Sequence, residues 1–248
     1  MELKALVDYT RQLLEVERYA DYCPNGLQLE GKLSVNKVVT GVTASMALLE
    51  AAQAAGADAI LVHHGYFWKN EDATIVGLKR NRIKFLLEHD ISLLAYHLPL
   101  DAHPVLGNNA QLAKVLGIEV NAWTGNQGLV GVGSLPSSQK LADVSKHVET
   151  KLGRTPLVIG DADKSIKRVA WCTGGAQGYI QDAIDLGVDA FISGEISEQT
   201  VHLARESGVA YISAGHHATE RYGVQALGAH LAEQFGIAHE YIEIDNPV

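Results

Sequence analysis

Short apolar runs alternate along the chain with longer segments whose apolar residues recur at helical spacing. The short runs are bounded by Gly and polar residues, which is typical of buried strands, and the longer segments are typical of amphipathic helices. The predicted strands are 27–29, 38–42, 59–62, 91–96, 157–159, 169–173, 190–193, 208–213 and 241–244. The predicted helices are 2–17, 46–55, 80–89, 109–116, 142–152, 224–235 and a segment that ends at 186. This alternation predicts an α/β protein with mixed sheets flanked by helices.

The second half of the chain repeats the plan of the first. An offset of 131 residues aligns the strand openings Val38 and Val169 and also aligns 56–59 with 187–190. An offset of 119 residues aligns two polar pairs further on, which are His97 with His216 and Asp101 with Glu220. We therefore predict an internal duplication that gives two similar α/β lobes, 1–126 and 127–248, with a metal site between them.

Composition narrows the class of protein. An apolar fraction of 47% and a charged fraction of 20% in 248 residues are typical of a soluble globular protein. The net charge of −9 weighs against a surface built to bind nucleic acid. Two cysteines without metal-ligand spacing predict a reducing compartment. No signal-peptide core opens the chain and no apolar run approaches the ~18 residues of a membrane span, so we expect a cytoplasmic protein.

Histidines and carboxylates follow several of the predicted strands. His63 and His64 end one strand and are followed by Gly65, which permits a turn. His97 and His216 each follow another strand. Because open α/β sheets place their sites at the carboxyl ends of strands, these side chains are expected to contribute to one site.

The donor set predicts metal binding. Five strong ligands are available, namely His63, His64, Asp101, His216 and Glu220. Five exceed what one tetrahedral zinc with an open position needs, whereas two divalent metal ions that share a carboxylate would use them all. Imidazole with carboxylate suits zinc, iron, manganese or nickel, so the identity of the metal stays open. Such a pair activates water for hydrolysis near neutral pH.

Other residues have two interpretations each. His97 is either a ligand or outer partner of the metals, or a packed histidine. Glu195 stands at the repeat position of His64, and is either a general base or supporting group, or a solvated turn carboxylate. The segment Tyr66-Phe67-Trp68 either stacks a base or pterin ring or packs in a core or subunit interface. The turn Gly174–Gly178 resembles a phosphate-binding loop but lacks its Lys-Ser/Thr, which favours a plain tight turn.

Five motifs carry a family resemblance: Pro24-Asn25-Gly26-Leu27-Gln28, Val62-His63-His64-Gly65, His97-Leu98-Pro99-Leu100-Asp101, Ser193-Gly194-Glu195 and Gly215-His216-His217-Ala218-Thr219-Glu220. Together they resemble the GTP cyclohydrolase I type 2 homologs, also called the Nif-three-like family, and most closely its short bacterial members. The resemblance implies a two-lobed α/β fold, a dinuclear metal site and a toroidal homohexamer. It also implies that the five donors above are the ligands and that Glu220 bridges the two metals.

Three functions are compatible with the sequence. The first is a metal-dependent hydrolase of a purine nucleotide or related heterocycle, as the resemblance implies through GTP ring opening or damaged nucleotides, with Glu195 or His97 moving protons. The second is a metal-binding or metal-trafficking protein without turnover. The third is a ring-shaped protein that binds single-stranded nucleic acid, which the acidic composition disfavours.

Overall fold

The computed structural model describes all 248 residues and confirms the mixed α/β class. The helices are α1 (Leu3–Leu13), α2 (Met46–Ala54), α3 (Gly77–Glu88), α4 (Leu98–Ala102), α5 (Asn108–Leu116), α6 (Leu141–Leu152), α7 (Ile180–Asp185), α8 (Glu198–Ser207) and α9 (His216–Phe235). The strands are β1 (Gly26–Leu29), β2 (Lys37–Thr43), β3 (Ala59–His64), β4 (Ser92–Ala95), β5 (Glu119–Thr124), β6 (Val130–Lys140), β7 (Leu157–Ile159), β8 (Ser165–Cys172), β9 (Ala190–Ser193), β10 (Ala210–Ser213) and β11 (Ala238–Tyr241). None of the helices is both long and apolar enough to cross a bilayer.

The chain forms two compact units. The first contains 1–107 and 223–245, and the second contains 108–222 and 246–248. The lobes 1–126 and 127–248 are predicted from the sequence repeat and not from contacts. Their boundary remains a prediction.

The first unit is a sheet covered by helices on both faces. Its strand order is β1-β4-β3-β2-β11, in which only β1 is antiparallel to its neighbour. Alternate residues of β3 serve different cores, because successive side chains on a strand point to opposite faces. Ile60 and Val62 pack with α2 and α3, whereas Ala59 and Leu61 pack with α1 and the 223–235 part of α9.

The second unit has a larger sheet with the order β5-β6-β8-β9-β10-β7. Strands β8, β9 and β10 are parallel, and β7 is antiparallel to β10 at one edge. At the other edge β6 and β5 are antiparallel additions. One face of this sheet packs against α5 and α6 through a core that includes the buried Trp171.

The two units share the strand order β1-β4-β3-β2 and β7-β10-β9-β8, as an internal duplication predicts. An aspartate at the start of the central strand supports the same equivalence. The Asp58 carboxylate accepts the backbone N–H groups of Asn36 and Lys37, and the Asp189 carboxylate accepts those of Lys167 and Arg168. Each aspartate and its partners lie 131 residues from their equivalents, which is the offset found in the sequence.

Several predicted elements are corrected. The last strand is Ala238–Tyr241 rather than 241–244, because Gly236 (φ +63) turns the chain directly alongside β2. Strands β5 and β6 and helix α8 were not predicted. Strand β5 is exposed or half-buried throughout, so it lacks the apolar run that marks a buried strand.

Candidate metal centre

Two adjacent histidines end β3 in the first unit. His63 is fully buried, His64 is half-buried, and their ring centroids lie 4.6 Å apart. Behind them Gly65 is tightly packed, since an added Cβ would overlap the Gln28 side-chain amide. That amide accepts the N–H of Tyr66 and donates to the Tyr66 carbonyl, so it anchors the segment that follows the histidines.

The neighbours of His63 determine which of its nitrogens can bind a metal. Its Nδ1 lies 2.9 Å from the carbonyl oxygen of Tyr96, and a carbonyl only accepts, so Nδ1 carries the proton. In the neutral ring Nε2 then bears a lone pair. This Nε2 lies 3.4 Å from Oδ1 of Asp101, a buried carboxylate on α4. A lone pair and a carboxylate that face each other are both acceptors, so either a proton or a metal cation between them would satisfy both, and the pair suits a metal ligand set.

A third histidine of the first unit, His97, is held by residues of the segment before β1. His97 Nδ1 donates to Asp21 at 2.7 Å, and the His97 backbone N–H donates to Asn25 at 2.7 Å. Asp21 also accepts from the side chain of Asn25 and from the N–H of Leu98. Burial favours the neutral Asp21 carboxyl, but the hydrogen bonds that it accepts, first of all from His97, outweigh burial and hold the pKa of Asp21 below its ordinary value.

The first unit therefore brings three imidazoles together. One nitrogen from each of His63, His64 and His97 lies within 4.8 Å of the other two, which is close enough for a shared metal ion. His64 is held by a contact of 3.3 Å between its Nδ1 and the Thr43 hydroxyl. A neighbouring group of Asp21, Cys23 and His97 is also compact, but the Asp21–His97 hydrogen bond already uses its facing atoms.

The second unit repeats the arrangement of imidazole and carboxylate at the start of α9. His216 Nδ1 donates to Glu195 at 2.7 Å, and His216 Nε2 lies 3.0 Å from Oε2 of Glu220, four residues further along the helix. Burial alone would lower the pKa of His216, but the hydrogen bonds and charges of Glu220 and Glu195 raise it to about 9. A proton there occupies the position that a metal cation would take, so the donor set fits a divalent ion.

The glycine turn after β8 makes room for Glu220. Gly174 has φ +69, and an added Cβ there would overlap the Glu220 carboxylate. The Gly174 N–H donates to the hydroxyl of Thr219 at 3.0 Å, so the turn is fixed against the first turn of α9. This contact gives the turn a structural role, in agreement with its prediction as a tight turn.

Sequence reasoning missed Asp21, Asn25 and Thr219 as supporting residues. Asn25 and Thr219 lie inside motifs that carried the resemblance, whereas Asp21 had no signal of its own. Two other histidines have local roles: His103 Nδ1 accepts backbone N–H groups in its own loop, and the N–H of His217 donates to the carbonyl of Val248.

Comparison with known proteins confirms the predicted family. The Duf34/NIF3 (NGG1p interacting factor 3) family matches residues 1–247, and the chain belongs to this family. A Pseudomonas aeruginosa relative named GTP cyclohydrolase 1 type 2 homolog is 57% identical over 99% of this chain and 98% of its own. The Escherichia coli K12 relative of the same name is 52% identical over 99% and 98%.

Solved structures agree with the fold. A structural-genomics protein of unknown function superimposes with a TM-score of 0.97 at 51% identity, and the match covers 100% of both chains. A protein from Thermus thermophilus has a TM-score of 0.89 at 35% identity, and the match covers 100% of this chain and 99% of that one.

Proposed function

We propose that the chain is a dinuclear-metal-dependent hydrolase that acts on a purine nucleotide or related heterocycle. The observation that carries the proposal is a pair of imidazole contacts to buried carboxylates, His63 with Asp101 and His216 with Glu220. In both, the outer nitrogen of the histidine donates to a fixed acceptor, so the inner nitrogen is oriented as a ligand.

The ligands in this proposal are His63, His64, Asp101, His216 and Glu220, with Glu220 as the bridge. Two divalent metal ions held by them would supply Lewis-acid activation of water near neutral pH. The chain's own residues orient the ligands and move protons.

Two residues are proposed to handle protons. His97 has Nδ1 bonded to Asp21, so Nε2 can accept a proton and Asp21 stabilises the imidazolium that forms. Glu195 touches the outer nitrogen of His216, and this contact supports a role in holding that ligand as well as in accepting a proton. The heterocyclic substrate is supported by the names of the relatives, which refer to a GTP cyclohydrolase.

Elemental analysis of purified, metal-loaded protein tests the proposal first. We expect two ions per chain, and Glu220→Gln should lower the occupancy of both because the bridge contacts both. One ion or fewer in the loaded wild type would contradict the dinuclear site, and a loss confined to one ion would contradict the bridge. Turnover of GTP and of damaged purine nucleotides then separates a hydrolase from a protein that only binds or traffics metal.

We also propose that the protein is a cytoplasmic homohexamer. The apolar residues of α2 do not support this, because Leu48, Leu49 and Ala52 pack in the core of their own unit. Better support comes from Val76 and Leu78 at the start of α3, which are 64% and 75% exposed. Light scattering should give six chains per particle, and a monomer at micromolar concentration would contradict the proposal.

A further inference from the structure

The three aromatic residues after His63-His64-Gly65 lie in different surroundings. Tyr66 is buried and its hydroxyl donates to the carbonyl of Ala44 at 2.9 Å. Phe67 packs against the core beneath α2 and α3. Trp68 is half-buried, and its ring centroid lies 5.0 Å from that of His97 and 5.9 Å from that of His64. Only Trp68 therefore combines exposed surface with contact to these imidazoles.

A strained backbone brings Trp68 to this position. Phe67 has φ +66, a left-handed conformation that is a genuine outlier for a bulky aromatic residue. Such strain persists only where the surroundings enforce it, and it concentrates at functional sites. Here the Trp68 N–H donates to Glu71, and the indole N–H donates to the carbonyl of Gly65 at 3.1 Å. These two hydrogen bonds engage the backbone N–H and the indole nitrogen, and they hold the indole in one orientation.

A second aromatic ring approaches His97 from another loop. Tyr22 is 58% exposed, although tyrosine is large and largely apolar, and its ring centroid lies 6.5 Å from that of His97. Its carbonyl accepts the N–H of Lys69 at 2.6 Å, which joins its loop to the segment that carries Trp68. The adjacent Asp21 fixes the same loop to His97. Two loops that are bonded to each other therefore present aromatic rings beside one histidine.

We propose that Trp68 and Tyr22 form the docking site for a planar nitrogen heterocycle of the purine or pterin type, read at its edge by His97. This inference rests on the proposed function and names the part of the substrate that the first unit recognises. Aromatic faces bind planar rings by stacking, and indole is the strongest of them. Because His97 Nδ1 donates to Asp21, Nε2 presents a lone pair that accepts an N–H from the ring edge.

Isothermal titration of the metal-loaded protein with guanosine, with pterin and with ribose 5-phosphate tests the site without requiring turnover. We expect saturable binding of guanosine or pterin. Trp68→Leu should weaken it by roughly tenfold or more, since stacking on one aromatic side chain typically contributes that much. Trp68→Phe should retain most of the affinity. Tyr22→Ala should also weaken ring binding. Because the Tyr22 side chain is exposed, this substitution should leave the fold intact.

The matched control is Trp123→Phe in the second unit, where the indole packs edge-on to Trp171. It should leave ring binding unchanged. The docking site would be overturned if neither ring probe bound, or if the wild type and Trp68→Leu bound them with equal affinity. It would also be overturned if Trp68→Leu weakened the binding of ribose 5-phosphate as much as that of the ring probes. Metal content of each sample separates the two proposals: two ions per chain with no ring binding removes only the docking site, whereas fewer ions in the wild type removes the proposed function.

Discussion

Replacing Gly174 by alanine tests whether the glycine turn shapes the metal centre. The added methyl meets two obstacles. The backbone has φ +69, which is unfavourable for any residue with a Cβ, and the new Cβ would overlap the carboxylate of Glu220 and crowd Nε2 of His216. The first obstacle affects stability, and the second affects both stability and the positions of two proposed ligands.

The two effects differ in size. Left-handed backbone costs alanine about 1–2 kcal/mol of folding free energy. The Glu220 carboxylate would have to move by more than about 1 Å to regain ordinary van der Waals separation from the methyl. Metal–ligand distances tolerate only about 0.2 Å. Loss of an outer partner already weakens metal binding by about 10–100-fold, so displacement of Glu220, the proposed bridging ligand, should weaken metal binding more than that.

Gly187→Ala is the matched control, because Gly187 has φ +62 in the same unit and an added Cβ there meets nothing within 4 Å. Urea unfolding of the metal-free proteins should show a loss of about 1–2 kcal/mol in Gly187→Ala and a loss at least as large in Gly174→Ala, where the overlap with Glu220 adds to the backbone cost. Calorimetric metal titration should show weakened binding only in Gly174→Ala. Wild-type metal affinity in Gly174→Ala would refute the proposed role of Glu220 or of the turn.

Two further predictions address single carboxylates. Glu195→Gln keeps an oxygen that can accept a hydrogen bond from His216 Nδ1, so elemental analysis should still find two ions. The rate of hydrolysis should fall by roughly 10²–10⁴-fold because the charge is lost. Unchanged turnover would make Glu195 a solvated turn residue. Burial alone would raise the pKa of Asp58, but hydrogen bonds from Asn36, Lys32 and Lys37 outweigh burial and hold this pKa below its ordinary 3.8. The contribution of Asp58 to stability is therefore complete well above pH 3.8 and is lost as pH falls through the folded-state pKa. In a urea unfolding series, Asp58→Asn should lose about 1–3 kcal/mol of unfolding free energy at pH 7. The stability of this variant should also depend less on acid pH than that of the wild type.

Much of the fold follows from sequence because its signals are local. Buried central strands such as β3 are continuous apolar runs, and Gly56, Gly117 and Gly236 follow the helices in the left-handed conformation expected there. The offset of 131 residues likewise anticipated equivalent strands with equivalent aspartates. The strand ends also led to the prediction of one metal site from His63, His64, Asp101, His216 and Glu220, and that ligand set stays a prediction.

What escaped prediction depends on long-range contacts. Strand β6 pairs with β8, and β5 pairs with β6 at the edge of the sheet, so their formation does not require an apolar run. Asp21 precedes its partner His97 by 76 residues, and nothing in the local pattern links them. The compact units divide the chain at 107 and 222, where α5 and β5 join the second unit and β11 joins the first. The hydrophobic pattern predicts the helices and strands, but not which strand or unit each of them packs against.

The duplication explains why the two units supply different donors. In the second unit Glu195 accepts the proton of His216 Nδ1. The equivalent position in the first unit is His64, which cannot serve His97 as an anionic acceptor. Asp21, from the segment before β1, supplies that carboxylate instead. Because Asp21 orients His97, position 64 is available for a second imidazole beside His63. A symmetric pair of repeats would offer equal donors from each half, whereas this replacement places three imidazoles together in the first unit and one imidazole between two carboxylates in the second.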